Sequence, residues 1–301
     1  MTLANEPASV TPEPGVTASR ASFGARWPMS DISEFVRICT RHRRLIWELT
    51  KRDVLDRFAG STLGVLWSVL NPLALMGIYV AVFTYVFPHR VPAGGGTGIT
   101  FDYTVFMISA YLPWMVFAQV LHASGRYITG RANLVTQVVF PLEALPIKSV
   151  LGALVPQLVG TGFLLCYTLV RFQTLPVTWL LWPGLLVCEI AFLLGIAFFL
   201  AALGVYLRDT AEIAGVLASM LFYLTPILFT AETIARFPEG LKWLLAANPL
   251  TYYVTPFRDS MYSGAITQPT AWGLLPVISG LVLMGGYGVF KRLKPYFGSA
   301  L

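Results

Sequence analysis

The chain reads RDVLDRFAGSTLGVLWSVLNPL over residues 52–73, and within this stretch a charged segment gives way to an apolar one. Four charges fall within residues 52–57, whereas no Asp, Glu, Lys or Arg occurs from residue 58 to residue 87. About 20 mostly apolar residues are enough to cross a bilayer as an α-helix. The stretch therefore predicts an acid–base cluster placed directly against a membrane-spanning helix.

Five more apolar runs of comparable length follow, which makes a membrane protein the simplest interpretation of the composition. The six predicted spans are 62–87, 103–124, 149–170, 177–206, 213–230 and 270–290. Only 12% of the 301 residues are charged, about half the share of an average soluble domain. A soluble protein of this length does not need six such runs for its core. We predict an all-α integral membrane protein with six transmembrane helices.

The segments outside the spans differ in composition. Residues 1–30 are rich in Pro, Ala, Ser and Thr and contain no apolar run, which predicts a disordered cytoplasmic arm and not a signal peptide. Residues 31–60 alternate apolar and basic positions, which predicts an amphipathic segment lying on the membrane surface. This segment is either a simple anchor or a helix that also touches a partner. The six-helix domain then occupies 61–292, and residues 293–301 form a short tail.

Basic residues predict the orientation. With both termini in the cytoplasm, 16 of the 21 Lys and Arg residues lie inside, and five lie outside: Arg90, Arg171, Arg236, Lys242 and Arg258. The positive-inside rule favours this arrangement, and it accounts for the net charge of +6 without a nucleic-acid partner. The external segment 231–262 contains apolar pieces of about 10 residues, too short to span, so we predict re-entrant helices before the last span.

Motifs for catalysis or cofactor binding are weak. GRYITGRA, residues 125–132, places Arg131 and Ala132 where a phosphate-binding loop needs Lys and Ser or Thr. The three Cys and three His residues are scattered, which predicts no metal site. Glu189 lies in an apolar run; it either couples transport to protons or hydrogen-bonds a neighbouring helix. We favour the hydrogen bond, because proton-driven carriers normally need several such groups.

Five stretches, in order, resemble the membrane subunit of bacterial polysaccharide ABC exporters, the type-2 ABC permeases. They are RDVLDRFAGSTLGVLWSVLNPL, FMISAYLPWMVFAQVL, RANLVTQVVFPLEALPI, RDTAEIAGVLASMLFYLTPILF and NPLTYYVTPFRD. The resemblance covers roughly residues 45–292, and the N-terminal arm is not part of the pattern. It implies a multi-pass subunit of the bacterial cytoplasmic (inner) membrane that moves lipid-linked polysaccharide of O-antigen, capsule or teichoic-acid type. A second copy of the chain and a separate ATPase, which holds ATP and Mg, would complete the exporter, surrounded by membrane lipids.

Two other classes stay open. One is a type-2 permease for a drug or a lipid, which would share the fold. The other is a membrane glycosyltransferase or acyltransferase, which would need a DxD or a His–Asp pair in a loop. No such cluster is present in the loops. We therefore predict no catalytic residue in this chain.

The resemblance also implies where function resides. The loop 125–148 would couple to the ATPase through Arg131, Asn133, Phe140 and Pro141. The substrate entrance would contain Arg52, Asp53, Arg57, Ser61, Trp67, Arg208 and Asp209. The exit would contain Asn248, Pro249 and Arg258. Aromatic faces can pack on sugar rings, so the pore-lining candidates are Tyr79, Phe83, Phe222 and Tyr223 on the first and fifth spans.

The entrance segment carries three local predictions. Arg52 with Asp56 and Asp53 with Arg57 are spaced i,i+4, so each pair can form along a helix. Gly60 permits a turn between the surface helix and the first span. Pro72 interrupts that span and can kink it.

Overall fold

A computed structural model describes residues 29–86, 90–92, 100–131 and 141–300. The predicted disordered arm lies outside the described residues, except that residues 29 and 30 begin the first helix.

The described residues are mostly helical. The helices are α1 Met29–Arg41, α2 Arg43–Asp56, α3 Trp67–Ala81, α4 Tyr103–Ser124, α5 Ala144–Phe172, α6 Trp182–Tyr206, α7 Thr210–Leu224, α8 Ala231–Ala235, α9 Glu239–Ala247, α10 Pro249–Arg258, α11 Pro269–Leu293 and α12 Phe297–Ala300. Short 3₁₀ turns (Gly64–Leu66, Thr129–Arg131, Val177–Leu181, Lys294–Tyr296) and π turns (Val82–Val86, Asp259–Ser263) extend or join them. Two short strands, β1 Arg90–Pro92 and β2 Thr100–Asp102, complete the described elements.

By length and composition, five helical stretches in the described residues can cross a membrane, in agreement with the predicted class of all-α membrane protein. They are Gly64–Val86, Tyr103–Ser124, Ala144–Phe172, Val177–Tyr206 and Pro269–Tyr296. The predicted span 213–230 corresponds to α7, an apolar helix of 15 residues. It ends at Leu224 because Thr225 precedes Pro226 and is extended, with φ −107° and ψ 136°, as proline requires of the residue before it. The count of six full-length spans is therefore not confirmed.

The two ends of the helix bundle can be told apart by their contacts. Lys291, near the end of α11, forms an ion pair with Glu34 of α1, and the ring of Phe35 meets that of Tyr287 at 5.4 Å. We call this the terminal end, because both ends of the described chain lie there. At the far end, Phe101, just before α4, contacts Phe172, where α5 ends, at 4.9 Å.

The predicted amphipathic segment 31–60 consists of two helices, α1 and α2, that meet at His42. Helix α2 buries Ile46 and Thr50 and leaves the indole of Trp47 65% exposed. After α2, Gly60 adopts φ +83° and Gly64 φ +51°, a left-handed conformation in which a Cβ atom is strained. The predicted glycine turn between the surface helix and the first span is thus confirmed.

The strands β1 and β2 form an antiparallel pair that the sequence did not predict. Arg90 lies opposite Asp102, and Val91 opposite Phe101. The ribbon leads directly into α4, where Asp102 caps the helix by accepting a hydrogen bond from the Val105 amide at 3.2 Å. The fold is therefore α-helical with one short β-ribbon at the far end.

The predicted loop 125–148 ends earlier in the structure than in the prediction. Helix α5 begins at Ala144, so residues 144–148 are helical. Pro146 does not break this helix, because it lies in the first turn of α5, where a missing amide hydrogen costs no helical hydrogen bond.

Helices α6 and α11 pack closely through glycines. A Cβ atom on Gly195 would overlap the backbone of Val282, and one on Gly286 would overlap the backbone of Gly195. Small residues allow this close approach between membrane helices. The two positions therefore determine the spacing between α6 and α11.

Replacing Gly286 by alanine is expected to destabilise the protein, because the new methyl group forces α6 and α11 apart at a cost of about 1–3 kcal/mol. Gly280 is a matched control on the same helix, since nothing lies within 4 Å of a Cβ placed there. The thermal midpoint of the purified chain measures both effects. Equal midpoints for Gly286→Ala and Gly280→Ala would contradict the close packing.

Candidate functional site

Asp53 lies at the centre of a charge cluster where α2 crosses α5. Its carboxylate accepts a hydrogen bond from Arg57 Nη2 at 3.3 Å, four residues further along α2. It also pairs with Lys148 of α5, whose side chain is only 3% exposed. The predicted Asp53–Arg57 pair is therefore confirmed, and Lys148 is a partner that the sequence did not indicate.

The surroundings of the cluster shift the pKa values of Asp53 and Tyr127 in opposite directions. Burial alone would raise the pKa of Asp53, but the hydrogen bond and charge of Lys148, with Arg57, hold it below its ordinary value. Half-buried Tyr127, in the turn after α4, has its pKa raised to about 12, chiefly by burial. Asp53 is thus ionised at neutral pH, and Tyr127 remains a neutral phenol.

The predicted pair of Arg52 and Asp56 is wrong for the described structure. Both side chains are exposed, and no ion pair joins them among the residues that the structure describes. Ion pairs on an exposed helix face contribute only about 0–1 kcal/mol, so solvent competes with this pair. Asp53 faces α5, and its immediate neighbour Arg52 is rotated about 100° away from it, towards solvent.

A cavity of about 160 Å³ adjoins this cluster between α2, α3 and α5. Arg57 and Trp67 line it, as do Asn71 and Pro72, where α3 contains its internal proline. Of the predicted entrance residues, the structure therefore brings Asp53, Arg57 and Trp67 together. Ser61 is exposed in the glycine turn, where its hydroxyl donates to the Phe58 carbonyl at 2.8 Å.

Arg208 and Asp209 lie elsewhere at the terminal end. They are exposed residues between α6 and α7. Near them, Arg126 after α4 forms an ion pair with Glu212 in the first turn of α7. Neither Arg208 nor Asp209 hydrogen-bonds the Asp53 cluster in the described part of the chain.

The predicted coupling residues are only partly described. Arg131 ends a 3₁₀ turn, and Asn133 and Phe140 lie outside the described residues. Pro141 opens the first turn leading into α5, because its carbonyl accepts a hydrogen bond from the Ala144 amide at 2.9 Å.

Three of the four predicted pore-lining residues pack their rings on aromatic residues of α4. The ring centroids lie 5.2 Å apart for Tyr79 and Tyr111, 4.9 Å for Phe83 and Tyr103, and 5.7 Å for Phe222 and Trp114. Tyr223 instead projects outward, with 67% of its surface exposed. The rings thus form an aromatic row along α4, flanked by α3 and α7.

The predicted exit residue Asn248 joins α7 to α10. Its Oδ1 accepts a hydrogen bond from the Leu250 amide at 3.0 Å and so caps α10, with Pro249 in the first turn. Its Nδ2 donates to the Leu224 carbonyl at 2.9 Å and to Thr225 Oγ1 at 3.2 Å. An Asn–Pro pair therefore begins one helix and fastens the end of another.

Arg258, at the other end of α10, contacts the same stretch of chain. Its Nη2 donates to the carbonyls of Pro226 and Ile227 at 2.6 and 2.8 Å. Its guanidinium also lies 4.0 Å from the ring centroid of Phe106, within cation–π range. Both ends of α10 thus hold residues 224–227, and we call this arrangement the α10 clamp.

The predicted re-entrant segment 231–262 contains α8, α9 and α10, of 5, 9 and 10 residues. Each helix is too short to cross a bilayer, as the sequence predicted. Their depth in the membrane stays a prediction.

Replacing Asn248 by alanine is expected to lower stability by about 0.5–2 kcal/mol, the usual cost of a lost N-cap, and to release α7. Asn248→Asp keeps the capping oxygen but loses both donors, so its thermal midpoint should fall between those of the alanine variant and the wild type. An alanine variant as stable as the wild type would contradict the clamp.

Glu189 forms a buried network that links four helices. Its side chain is fully buried and accepts hydrogen bonds from Gln157 Nε2 of α5 and the Tyr253 hydroxyl of α10, both at 2.8 Å. The same hydroxyl lies 3.3 Å from the Pro113 carbonyl of α4. The predicted hydrogen bond to a neighbouring helix is confirmed, although the sequence gave no sign of which residues would supply it.

Comparison of the sequence with those of known proteins matches the chain to one family. Residues 44–262 match the family model described as ABC-2 type transporter. The chain is 27% identical over 260 residues to the O-antigen export system permease protein RfbA of Klebsiella pneumoniae, covering 85% of this chain and 95% of that protein. It is 27% identical over 268 residues to RfbA of Myxococcus xanthus, covering 88% and 98%. It is 22% identical over 248 residues to the polysialic acid transport protein KpsM of Escherichia coli, covering 80% and 90%.

Proposed function

The chain belongs to the ABC-2 type transporter family, and from this premise we propose that it is the membrane permease of an ATP-driven polysaccharide exporter. The observation that carries the proposal is the match to export permeases over nearly their full length. The chain provides the path across the membrane. An ABC ATPase on a separate chain binds ATP and Mg, and its hydrolysis of ATP provides the energy. The substrate is a lipid-linked polysaccharide of O-antigen, capsule or teichoic-acid type.

The charge distribution supports an orientation with the terminal end in the cytoplasm of a bacterial inner membrane. The Asp53 cluster, the Arg126–Glu212 pair and the basic end of α11 all lie at that end, as the positive-inside rule favours. Helix α4 ends and α5 begins at that end, and the loop 125–148 is the proposed contact with the ATPase. Closure of the ATPase would then tilt α4 and α5 as rigid bodies.

We propose that two copies of the chain form the pore. The stretch Gly64–Val86, which contains α3, buries little of its surface in this protomer: only 17% of its most apolar 18 residues are buried, against 78% for α4. Its outward face includes apolar side chains such as Leu66, Val69 and Ile78. A second copy of this chain, together with lipid, would cover this face, and the aromatic row would line the path between the copies.

The aromatic row also supports a sugar substrate over a drug or a lipid. Tyr79, Phe83 and Phe222 follow one another along this row, and aromatic faces of this kind can stack on the apolar side of successive sugar rings without selecting one sugar. A membrane enzyme remains a second class, and it is separated from a permease by the experiment below.

The test is a co-purification with an ABC ATPase, which would be sought among the genes neighbouring that of this chain. The wild type should form a stable complex whose ATP hydrolysis rises when lipid-linked glycan is added. A double variant, Asn133→Asp with Phe140→Ala, should lose that response, whereas Gln137→Ala in the same loop should keep it. A chain that purifies without any ATPase and still alters lipid-linked sugar would overturn the proposal in favour of an enzyme.

A further inference from the structure

A cavity of about 610 Å³ lies at the far end of the bundle, between the end of α7, the short helices α8–α10 and the segment before α11. Its walls combine aromatic rings, such as Phe229 and Tyr252, with hydroxyl groups, such as those of Thr230 and Thr255. Arg258 and Lys242 also line it. It is therefore large and partly polar, and two cations and the carboxylate of Asp259 line it.

The guanidinium of Arg258 is only partly used by the protein. Nη2 is committed to the α10 clamp, whereas the buried Nε has no hydrogen-bond partner. Nη1 forms no hydrogen bond with the described residues either, and it is not among the atoms sealed from solvent. Arg258 therefore keeps one guanidinium nitrogen, Nη1, whose N–H groups can bind a ligand in the cavity, whereas the buried Nε cannot reach one.

Two carboxylates lie near these cations, and neither blocks access to them. Asp259, also in the cavity wall, keeps its charge, but both of its oxygens are engaged within the protein: it accepts from the Thr267 amide at 2.9 Å, the Thr267 hydroxyl at 2.6 Å and Trp272 Nε1 at 3.0 Å. Lys242 pairs with Glu239 at 2.8 Å, but Glu239 is 80% exposed. Such surface pairs contribute about 0–1 kcal/mol, so Lys242 can turn to an anion at little cost.

We infer that this cavity binds a phosphate ester carried on a hydroxylated group, with Arg258 and Lys242 as its cationic partners. Arginine is suited to phosphate, because its planar fork of N–H donors matches the phosphate oxygens. The hydroxyls and rings of the wall would hold the attached glycerol or sugar. Two sources share this chemistry: the headgroup of an anionic phospholipid and the glycosyl phosphate of an exported glycolipid. The second source rests on the proposed function, whereas the first does not.

The test measures binding to the full chain in phosphatidylcholine nanodiscs, without the ATPase. The probes are dihexanoyl phosphatidylglycerol, glucose 1-phosphate and the neutral octyl glucoside. The binding of each probe is measured by isothermal titration calorimetry. Arg258 itself is left unchanged, because it also belongs to the clamp. Lys242→Glu reverses the second charge, and Ala246→Trp places a bulky ring at a cavity-lining position that is exposed. Arg236→Ala, an exposed cation of the same segment outside the cavity wall, is the matched control.

Both cavity variants should weaken phosphate-ester binding about tenfold or more, equivalent to about 1.4 kcal/mol, with an unchanged thermal midpoint, and Arg236→Ala should bind as the wild type does. Tighter binding of phosphatidylglycerol assigns the site to membrane lipid, and tighter binding of glucose 1-phosphate assigns it to the exported glycolipid. Octyl glucoside binding as tightly as both phosphate esters, or variants that bind like the wild type, would overturn the inference. The proposed function is tested separately, in the complex with the ATPase. A cavity variant that no longer binds phosphate esters but keeps glycan-stimulated ATP hydrolysis would leave that function standing.

Discussion

Replacing Asp53 by asparagine is expected to loosen α2 from α5 and to lower the thermal midpoint, because buried Lys148 loses an anionic partner. Removing one partner of a buried ion pair typically costs about 3–5 kcal/mol, and the partial exposure of the Asp53 side chain, 16%, puts the expected loss at or below that range. Asp56→Asn is the matched control, since Asp56 is an exposed carboxylate three residues along the same helix. Equal midpoints for the two variants would show that the cluster does not hold α2.

The same comparison has a defined pH dependence. The pKa of Asp53 is lower in the folded protein than its ordinary value. Its contribution is therefore complete above the unfolded pKa of about 3.9 and is lost as the pH falls through the lower folded value. The difference in midpoint between the wild type and Asp53→Asn should be constant from neutral pH to about pH 5 and shrink in stronger acid. A difference that instead grows in acid would contradict the assignment.

Replacing Glu189 by leucine is expected to have the second large effect, because it strips an acceptor from two buried donors. Gln157 and Tyr253 would each lose a 2.8 Å hydrogen bond, at about 1–3 kcal/mol for each group left unsatisfied. Glu189→Gln keeps an acceptor of nearly the same shape and should retain most of the stability. The thermal midpoints of the two variants measure this contrast.

The glutamine variant also decides between the two hypotheses for Glu189. A glutamine side chain cannot take up and release a proton, so proton coupling requires Glu189→Gln to abolish transport. A structural hydrogen bond requires the variant to transport glycan at close to the wild-type rate. We expect the second result, measured as glycan reaching the cell surface, and near-zero export by a stable Glu189→Gln protein would contradict it.

Local sequence signals predicted the features that depend on neighbouring residues. The span 103–124 coincides with α4 because apolar length alone determines it. The turn at Gly60 followed from the conformational freedom of glycine. The early start of α5 at Ala144 was missed, because residues 144–148 include Pro146, which is tolerated only in the first turn of a helix.

Contacts between distant parts of the chain were not predictable from one sequence. Lys148 is 95 residues from Asp53, and Tyr253 is 64 residues from Glu189, so no spacing rule connects either pair. Arg52 illustrates the same limit, since its i,i+4 spacing permitted a pair with Asp56 but the packing of α2 on α5 determined which face is buried. Family resemblance indicated Asn248 and Arg258, and only the structure showed that they fasten the same stretch, residues 224–227.

The shortness of α7 changes the barrier that a hydrophilic chain has to cross. With 15 residues, α7 extends about 22 Å at 1.5 Å per residue, whereas the hydrocarbon layer is about 30 Å thick. Beyond its end lie the clamp and a cavity with hydroxyl groups in its wall, where water can enter. In the proposed orientation, a sugar chain moving outward would meet water roughly 8 Å before the membrane ends, and the apolar part of its path would be shortened by that depth.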